Sequence, residues 1–551
     1  YAAALCRAKA DWLIGINGTR LFTTLYQGKT LNVGRVQTPT LALLAEREAA
    51  ISGFRKEKFY TVELELDGFH AASERFASKT DAGRLRTGCV GKPATVQTVS
   101  QKEKTERPPR LYDLTTLQRE ANRLFDYTAQ QTLDYLQALY EKRLATYPRT
   151  DSRYLTEDMA SGLPSLCQSI AASLPFAADL SLPVNAAQVI DNSKVTDHHA
   201  ILPTAEAAKT DLSALPSGEK NILFLAAARL LCAVGEPHTY AETAVTLECG
   251  GAVFSAKGKT EIAAGWTALE QAFHATLKQK PKQAEPSPPL PALTEGQKLT
   301  AEGASVKEGA TSPPAHFTED TLLSAMEHAS AEDFAKLEDV ERKGLGTPAT
   351  RAGVIEKLVR SGFVERKKKQ LLPTEKGTEL IKVMPDALKS ARLTAEWEER
   401  LGAVERGELS PEDFMAGISA MLTELIKGYQ GVTVASAALS ASGRTVIGIC
   451  PRCGKNVVEG KKSFFCEGWN ATPPCGFALW KNDRFFTGKR KELTRKVAAA
   501  LLKNGRVAMT GLFSEKKGVL YDATVVMEDT GEKFVRFKLE FDPKTPKKKG
   551  N

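Results

Sequence analysis

The order of secondary structure along this chain is palindromic, and that order restricts the fold more than any single residue does. Residues 1 to about 57 read as helices, with the loop LNVGRVQTPT between them and the helix TLALLAEREAA after it. From Phe59 the sequence FYTVELELDGFH alternates, and PATVQTVSQKEKTERPP is a second extended segment ending at Pro108 and Pro109. A long helical stretch follows from Tyr112, through TLQREANRLF and TAQQTLDYLQALYEKR, to about Val234. Strands return in TYAETAVTLECGGAVFSAKGKTE, and the Pro-rich link KPKQAEPSPPLPAL leads to LTEGQKLTAEGASVKEG. From Thr318 helices dominate again, ending near Lys427. Independent domains in series would not return to the same class twice. The order predicts nested insertion, one domain interrupted by another, within an α+β multidomain protein.

The boundaries that follow are 1–57 and 318–430 for the two segments of one helical domain. The two segments of a β domain are 58–110 and 236–317, and the inserted helical domain is 111–235. The small, polar sequence VASAALSAS, Val434 to Ser442, reads as a linker into 443–486, a cysteine-bearing ribbon. A last piece, 487–545, reads as a helix followed by strands.

With 551 residues and 42% hydrophobic content the chain has material for several cores of ordinary size. No run of about 18 apolar residues is found, and YAAALCRAKADWLIG lacks the pattern of a secretory signal, so a soluble cytoplasmic protein is expected. The sequence starts at Tyr1, within what reads as a helix with Leu5, Ala8, Trp12 and Leu13 on one side; a fragment of a longer protein is expected.

Charge and cysteines both single out the C-terminal end. The net charge is +9, yet residues 443–551 carry 23 Lys and Arg against 11 Asp and Glu, while those before carry 52 against 55. Such an excess attracts a polyanion by counterion release and points to nucleic acid. The tail KTPKKKGN explains only the last part of it. Cys6, Cys89, Cys167, Cys232 and Cys249 are scattered singly, as reduced thiols would be. Cys450, Cys453, Cys466 and Cys475 fall as C-x2-C-x12-C-x8-C, a spacing that converges tetrahedrally on zinc.

The chemistry is concentrated in LATYPRTDSRYL, from Leu144 to Leu155. Tyr147 lies between an amphipathic helix and the polar turn RTDS, so its hydroxyl can face a groove. A tyrosine that attacks a phosphodiester stores the broken bond as a phosphotyrosine, and the strand can be resealed without ATP. Forming phenolate at neutral pH costs roughly 4 kcal/mol, given a pKa of about 10. Arg149 can supply a fixed positive charge to the phosphate through its planar fork. Alone, a Tyr-Pro-Arg turn is more often a packing element than a site.

Further segments change that balance. ATYPRTDSRYL resembles the active-site segment of type IA DNA topoisomerases, and the form with Pro148 is closer to topoisomerase III than to topoisomerase I. ADWLIGINGTRLFT (10–23), LNVGRVQTPTLALL (31–44), DHHAILPT (197–204), PPAHFTEDTLLSAME (313–327) and GLGTPATRAGVIEKL (344–358) agree in the same order. The resemblance covers the chain to about residue 430. It implies a toroidal core of helical domains and β arch, followed by a zinc ribbon and a small α+β C-terminal domain.

By that resemblance Tyr147 becomes linked to a DNA 5′ phosphate and Arg149 assists the phosphate. His198 matches the family histidine near the scissile phosphate, where its ring can donate or relay a proton. His199 matches a position that varies between branches and is given no catalytic role. The loop Asn32, Val33, Gly34, Arg35, Val36 and Gln37 resembles the loop lining the single-strand groove, with Arg35 offering a phosphate fork and Gln37 an amide. Many relatives have serine where this chain has Asn32. Thr350 and Arg351 start a helix followed by a basic hairpin with Lys367, Lys368 and Lys369, an order that looks like a winged-helix reader of phosphates. The partner implied is single-stranded DNA, or DNA with single-stranded regions, bound by a monomer that does not enter membranes.

Glu63, Glu65 and Asp67 alternate along VELELD and invite a reading as magnesium ligands. In the family, magnesium is held by an N-terminal Toprim domain, through a glutamate and an Asp-x-Asp-x-Asp run, and neither is found here at a matching position. VELELD is therefore read as a solvent-facing strand. Tyrosine recombinases and relaxases also use tyrosine, but Tyr147 lies early and the seven histidines form no metal cluster. The remaining rival is a DNA-binding protein without catalysis, derived from a topoisomerase that lost its Toprim domain.

Overall fold

The computed structural model describes residues 1–26, 30–177, 183–277, 288–329, 344–430, 446–470, 473–532 and 534–541. The linker VASAALSAS and the tail from residue 542 onward lie outside them. The chain forms two compact units, one of residues 1–25 and 30–434, the other of 26–29 and 435–551.

In the first unit the nested order becomes a shared sheet. Strands β1 (Lys58–Leu66), β2 (Phe69–Ser73) and β3 (Pro93–Glu106) come from the first β segment, with helix α3 (Lys79–Cys89) between them. Strands β4 (His238–Cys249), β5 (Ala252–Ala263), β6 (Lys298–Thr300) and β7 (Gly303–Ala310) come from the second. They interleave in one antiparallel sheet, order β6-β3-β4-β5-β2-β1-β7. Alternate residues Val62, Leu64, Leu66, Val96, Leu247 and Phe254 form its core. Glu63 and Glu65 point the other way on β1. Glu63 pairs with Lys307 at 3.3 Å, so VELELD is an outward strand face, as the sequence predicts.

The helical ends of this unit also combine across the chain. Helices α1 (Ala2–Leu25) and α2 (Gln37–Ser52) pack against elements far downstream. α1 contacts α13 (Arg392–Glu405) and α14 (Pro411–Gly428), while α2 contacts α11 (Glu375–Val383), α12 (Asp386–Lys389) and the strand β9 (Gln370–Pro373). The inward stripe of α1 is Cys6, Ala10, Ile14, Gly18 and Phe22. This corrects the face expected from sequence: Leu5 and Trp12 are exposed. The reason is close approach, since a Cβ at Gly18 would lie 3.0 Å from a Val33 methyl carbon, so the small-residue stripe faces the loop from Asn32 to Gln37.

The inserted segment comprises α4 (Leu114–Phe125), α5 (Ala129–Glu141), α6 (Leu163–Ser173) and α7 (Ser217–Ala233) around one apolar cluster. Asp113 and Thr128 cap α4 and α5 through reciprocal hydrogen bonds with Thr116 and Gln131. Helix α8 (Thr267–Ala275), which follows β5, adds Leu269 and Phe273 to the same cluster. The crossing is tight: Gly265 has φ +54°, and a Cβ there would lie 2.2 Å from the Pro237 carbonyl oxygen. Helices α9 (Glu319–Glu327) and α10 (Pro348–Arg360) and the hairpin of β8 (Val364–Lys367) with β9 complete the unit. Arg119 of α4 reaches Asp320 of α9 at 2.8 Å.

In the second unit the sheet β10 (Val446–Ile449), β11 (Asn456–Glu459), β12 (Ser463–Cys466), β13 (Ala478–Trp480) is antiparallel. After the short helix α15 (Arg484–Thr487) come α16 (Arg495–Asn504) and the sheet β14 (Arg506–Ser514), β15 (Val519–Glu528), β16 (Arg536–Glu540). Val457, Phe464, Phe477, Leu501, Leu512 and Val525 belong to a single core. Ribbon and terminal piece, told apart by composition, are thus packed as one body.

Candidate active site, DNA groove and metal centre

Tyr147 owes its position to the end of α5 and to a pairing across the inserted domain. Arg143 takes a left-handed φ of 62° just past the helix, and the Leu144 N–H donates to Leu139 O at 2.8 Å, which turns the chain sharply. The next residues pair with the DHHAILPT segment. Thr146 N donates to Leu202 O at 2.9 Å, Leu202 N to Thr146 Oγ1 at 2.9 Å, and Thr204 N to Leu144 O at 3.0 Å. Thr150 Oγ1 closes the other end by donating to His198 O at 2.9 Å.

That pairing stacks the Tyr147 ring on the His198 ring, with centroids 4.2 Å apart and planes inclined 37°. Tyr140 of α5 meets Tyr147 edge-on at 5.6 Å. Tyr147 is half-buried, whereas Arg149 and His198 are exposed. Arg149 Nη1 donates to Gln137 Oε1 at 2.9 Å. The structure therefore brings Tyr147, Arg149 and His198 to one surface of the inserted domain. Sequence reasoning missed Gln137 and Tyr140; their spacing on the exposed face of α5, just ahead of the tyrosine, was the available signal.

The loop from Asn32 to Gln37 is ordered by hydroxyls. Thr19 Oγ1 accepts from Val33 N at 3.0 Å and Thr38 Oγ1 from Gly34 N at 3.1 Å, while Asn32 Nδ2 donates to Ser361 Oγ at 2.8 Å. Val36 precedes α2, and Gln37 is its first residue. Gln37 is 5% exposed, and both polar atoms of its amide lack a partner among the described residues. It lines a cavity of about 430 Å³ together with Gly34, Gly346, Thr350 and Lys357.

Two of the expected DNA-contacting arginines have protein partners. Arg35 offers no free fork: Nε donates to Asp11 at 2.8 Å and Nη1 to Glu398 at 3.0 Å, and its guanidinium lies 5.1 Å from the Trp397 ring centroid. Burial disfavours its charge, but the Asp11 and Glu398 carboxylates more than offset that and leave the pKa raised. Arg351 is 3% exposed and donates to Leu345 O at 3.2 Å and Thr115 Oγ1 at 2.9 Å. Burial lowers its pKa, so it is a packed tie between α10 and α4. Thr350 spends its hydroxyl on the capping box with Thr347. On the basic hairpin Lys369 pairs with Asp126 and Lys367 with Glu365, leaving Lys368 at the turn with φ 58°.

Cys450, Cys453, Cys466 and Cys475 have sulfur atoms all within 4.8 Å of one another. The Cys450–Cys475 and Cys453–Cys466 separations are 3.7 and 3.3 Å, near the roughly 3.8 Å edge of a tetrahedron with 2.3 Å metal–sulfur bonds. Cys453 is pulled down to about 7 by backbone and thiol hydrogen bonds. The four thiols can hold a metal ion. Among the described residues no carboxylate or histidine cluster does the same.

Comparison with known proteins places these features in a family. Residues 1–416 match a family described as DNA topoisomerase. DNA topoisomerase 3 of Bacillus subtilis is 36% identical over 519 residues, which is 91% of this chain and 68% of that protein. DNA topoisomerase 3 of Shouchella clausii is 37% identical over 488 residues, 84% of this chain and 64% of the relative. The chain thus spans about two thirds of the length of such relatives. The full-length topoisomerase I of Thermotoga maritima matches with a TM-score of 0.59 at 22% identity, over 87% of this chain and 75% of that one, a likeness of fold. No helix among the described residues is long and apolar enough to cross a membrane. The matched region includes the tyrosine segment, the histidine segment and the groove loop, and the chain belongs to the type IA DNA topoisomerase family, in its topoisomerase III-like branch.

Proposed function

We propose that this chain cleaves and reseals one strand of DNA through Tyr147, for relaxation or decatenation. The observation that carries the reading is the stack of Tyr147 on His198 beside Arg149, on a surface formed by two segments that pair backbone to backbone. Tyr147 Oη gives up its proton and attacks phosphorus, forming a 5′ phosphotyrosine as the bond to the 3′ oxygen breaks; that oxygen takes up a proton and leaves as a hydroxyl, so no net proton is gained or lost. In this reading His198, exposed beside the ring, donates to a phosphate oxygen or carries the proton. Arg149 stabilises the charge that grows on the phosphate. Resealing is the reverse, with the 3′ hydroxyl as attacker, so no ATP is consumed.

Single-stranded DNA is the substrate that fits the groove loop. The unpartnered Gln37 amide supports this, because a buried amide without a partner loses about 1–3 kcal/mol unless a ligand satisfies it. Asn32, Val33, Gly34, Val36 and Thr350 shape that groove, and Arg35 and Arg351 hold its walls from within. The four cysteines fit zinc by donor type and spacing, and zinc would serve to fold the second unit. The family resemblance implies magnesium for rejoining. The described residues gather no carboxylates that fit it. Replacing Tyr147 with Phe tests the reading, since covalent DNA capture should vanish while single-strand binding persists.

A further inference from the structure

Arg149 is held by an amide, whereas Arg35 is held by carboxylates. Gln137 Oε1 accepts from Arg149 Nη1 at 2.9 Å. Gln137 Nε2 in turn donates to Glu141 Oε1 at 3.0 Å, one helical turn further along α5. That second bond fixes the orientation of the amide, because its nitrogen end is committed to Glu141 and its oxygen end must face the guanidinium. The same face of α5 supplies Tyr140, whose ring meets Tyr147 edge-on. One rigid helix thus sets both the nucleophile and the arginine.

We propose that Gln137 is a positioning residue for Arg149: a neutral acceptor that orients the guanidinium beside Tyr147 without cancelling its charge. The inference rests on the reading of Tyr147 as nucleophile. An exposed arginine free to rotate would have to be immobilised by the phosphate itself, at the cost of binding energy. A carboxylate at position 137 would orient it too, but would also neutralise it and set a negative charge near an anionic substrate. Arg35 shows that outcome, with its charge taken up by Asp11 and Glu398. Glu141 acts one step removed, its carboxylate separated from Arg149 by the amide.

The test measures the rate of covalent capture of a single-stranded oligonucleotide and, separately, its affinity, for the wild type and for Gln137→Ala, Gln137→Glu, Arg149→Ala and the Gln137→Ala/Arg149→Ala pair. Melting temperatures check the fold. Gln137→Ala should slow capture on the order of tenfold with affinity within about twofold of wild type, as expected for losing one hydrogen bond to a charged group. Gln137→Glu should be at least as slow, although isosteric. In the Arg149→Ala background Gln137→Ala should cost nothing more, which a merely structural role would not produce. A wild-type rate for either Gln137 variant, or an equal loss in both backgrounds, overturns the inference while Tyr147 stands. An adduct persisting in Tyr147→Phe overturns the nucleophile assignment and this inference with it.

Discussion

Thr150 Oγ1 donates to the backbone carbonyl of His198 at 2.9 Å, and this bond ties the tyrosine turn to the histidine strand. Thr150 is buried, and its hydroxyl also accepts from Ser152 N at 3.1 Å. Thr150→Val keeps the shape and removes both bonds. We expect it to cost about 1 kcal/mol of stability, read by denaturant unfolding, and to slow covalent capture about fivefold as the Tyr147–His198 stack loosens. An unchanged capture rate would show that the two strands hold the site without this bond.

Arg35 gives a prediction of opposite kind. Its removal leaves Glu398 buried with one fewer cation, so Arg35→Ala should destabilise the first unit by about 3 kcal/mol. Because its charge is already taken by Asp11 and Glu398, the dependence of single-strand affinity on salt should keep its slope. A residue that contacts phosphate would lower that slope by about 0.7. Affinity titrations between low and moderate salt distinguish the two.

Gln37 carries an amide with no partner among the described residues, so its polar atoms contribute little to the free protein. Gln37→Leu should therefore leave stability unchanged or raised, yet weaken single-strand binding roughly tenfold. If the variant binds DNA as well as the wild type, the cavity beside Gly346 and Lys357 is not part of the groove.

The metal centre and the terminal strands should behave as one unit. Cys450 and Cys466 belong to the same core as Leu501, Leu512 and Val525, and Arg452, between the first two cysteines, is clasped by Asp529 at 2.6 to 3.0 Å. Metal analysis under reducing conditions should give one zinc per chain. Chelation should then unfold β10–β13 and β14–β16 in a single transition, since structural zinc contributes an apparent ~10–16 kcal/mol. Separate transitions, or native structure without metal, would contradict this.

How far these features can be read from sequence depends on how far apart the partners lie. The tyrosine and histidine segments are contiguous runs, so the candidate residues could be named from sequence; the pairing between the segments that brings the two rings together could not. The anchoring of Arg35 was not legible for the opposite reason, since its partner Glu398 lies 363 residues away and no local pattern links them. On α1 two apolar stripes competed, and periodicity could not say which would meet α13 and α14; the stripe with Ala10 and Gly18 did, leaving Trp12 exposed. Composition separated the ribbon from the terminal piece, but each is small for a core of its own, and they bury apolar side chains together.

The central claim is that Tyr147 takes the DNA phosphate. Its most direct test uses a single-stranded oligonucleotide labelled at its 3′ end, mixed with the 551-residue chain and with that chain preceded by the Toprim segment of a relative. Denaturation, trypsin digestion and mass spectrometry then locate the label. The account predicts a nucleotide adduct on the peptide Leu144–Arg149, at Tyr147, abolished by Tyr147→Phe with single-strand affinity nearly unchanged. An adduct on any other residue, or none in either protein, would contradict it.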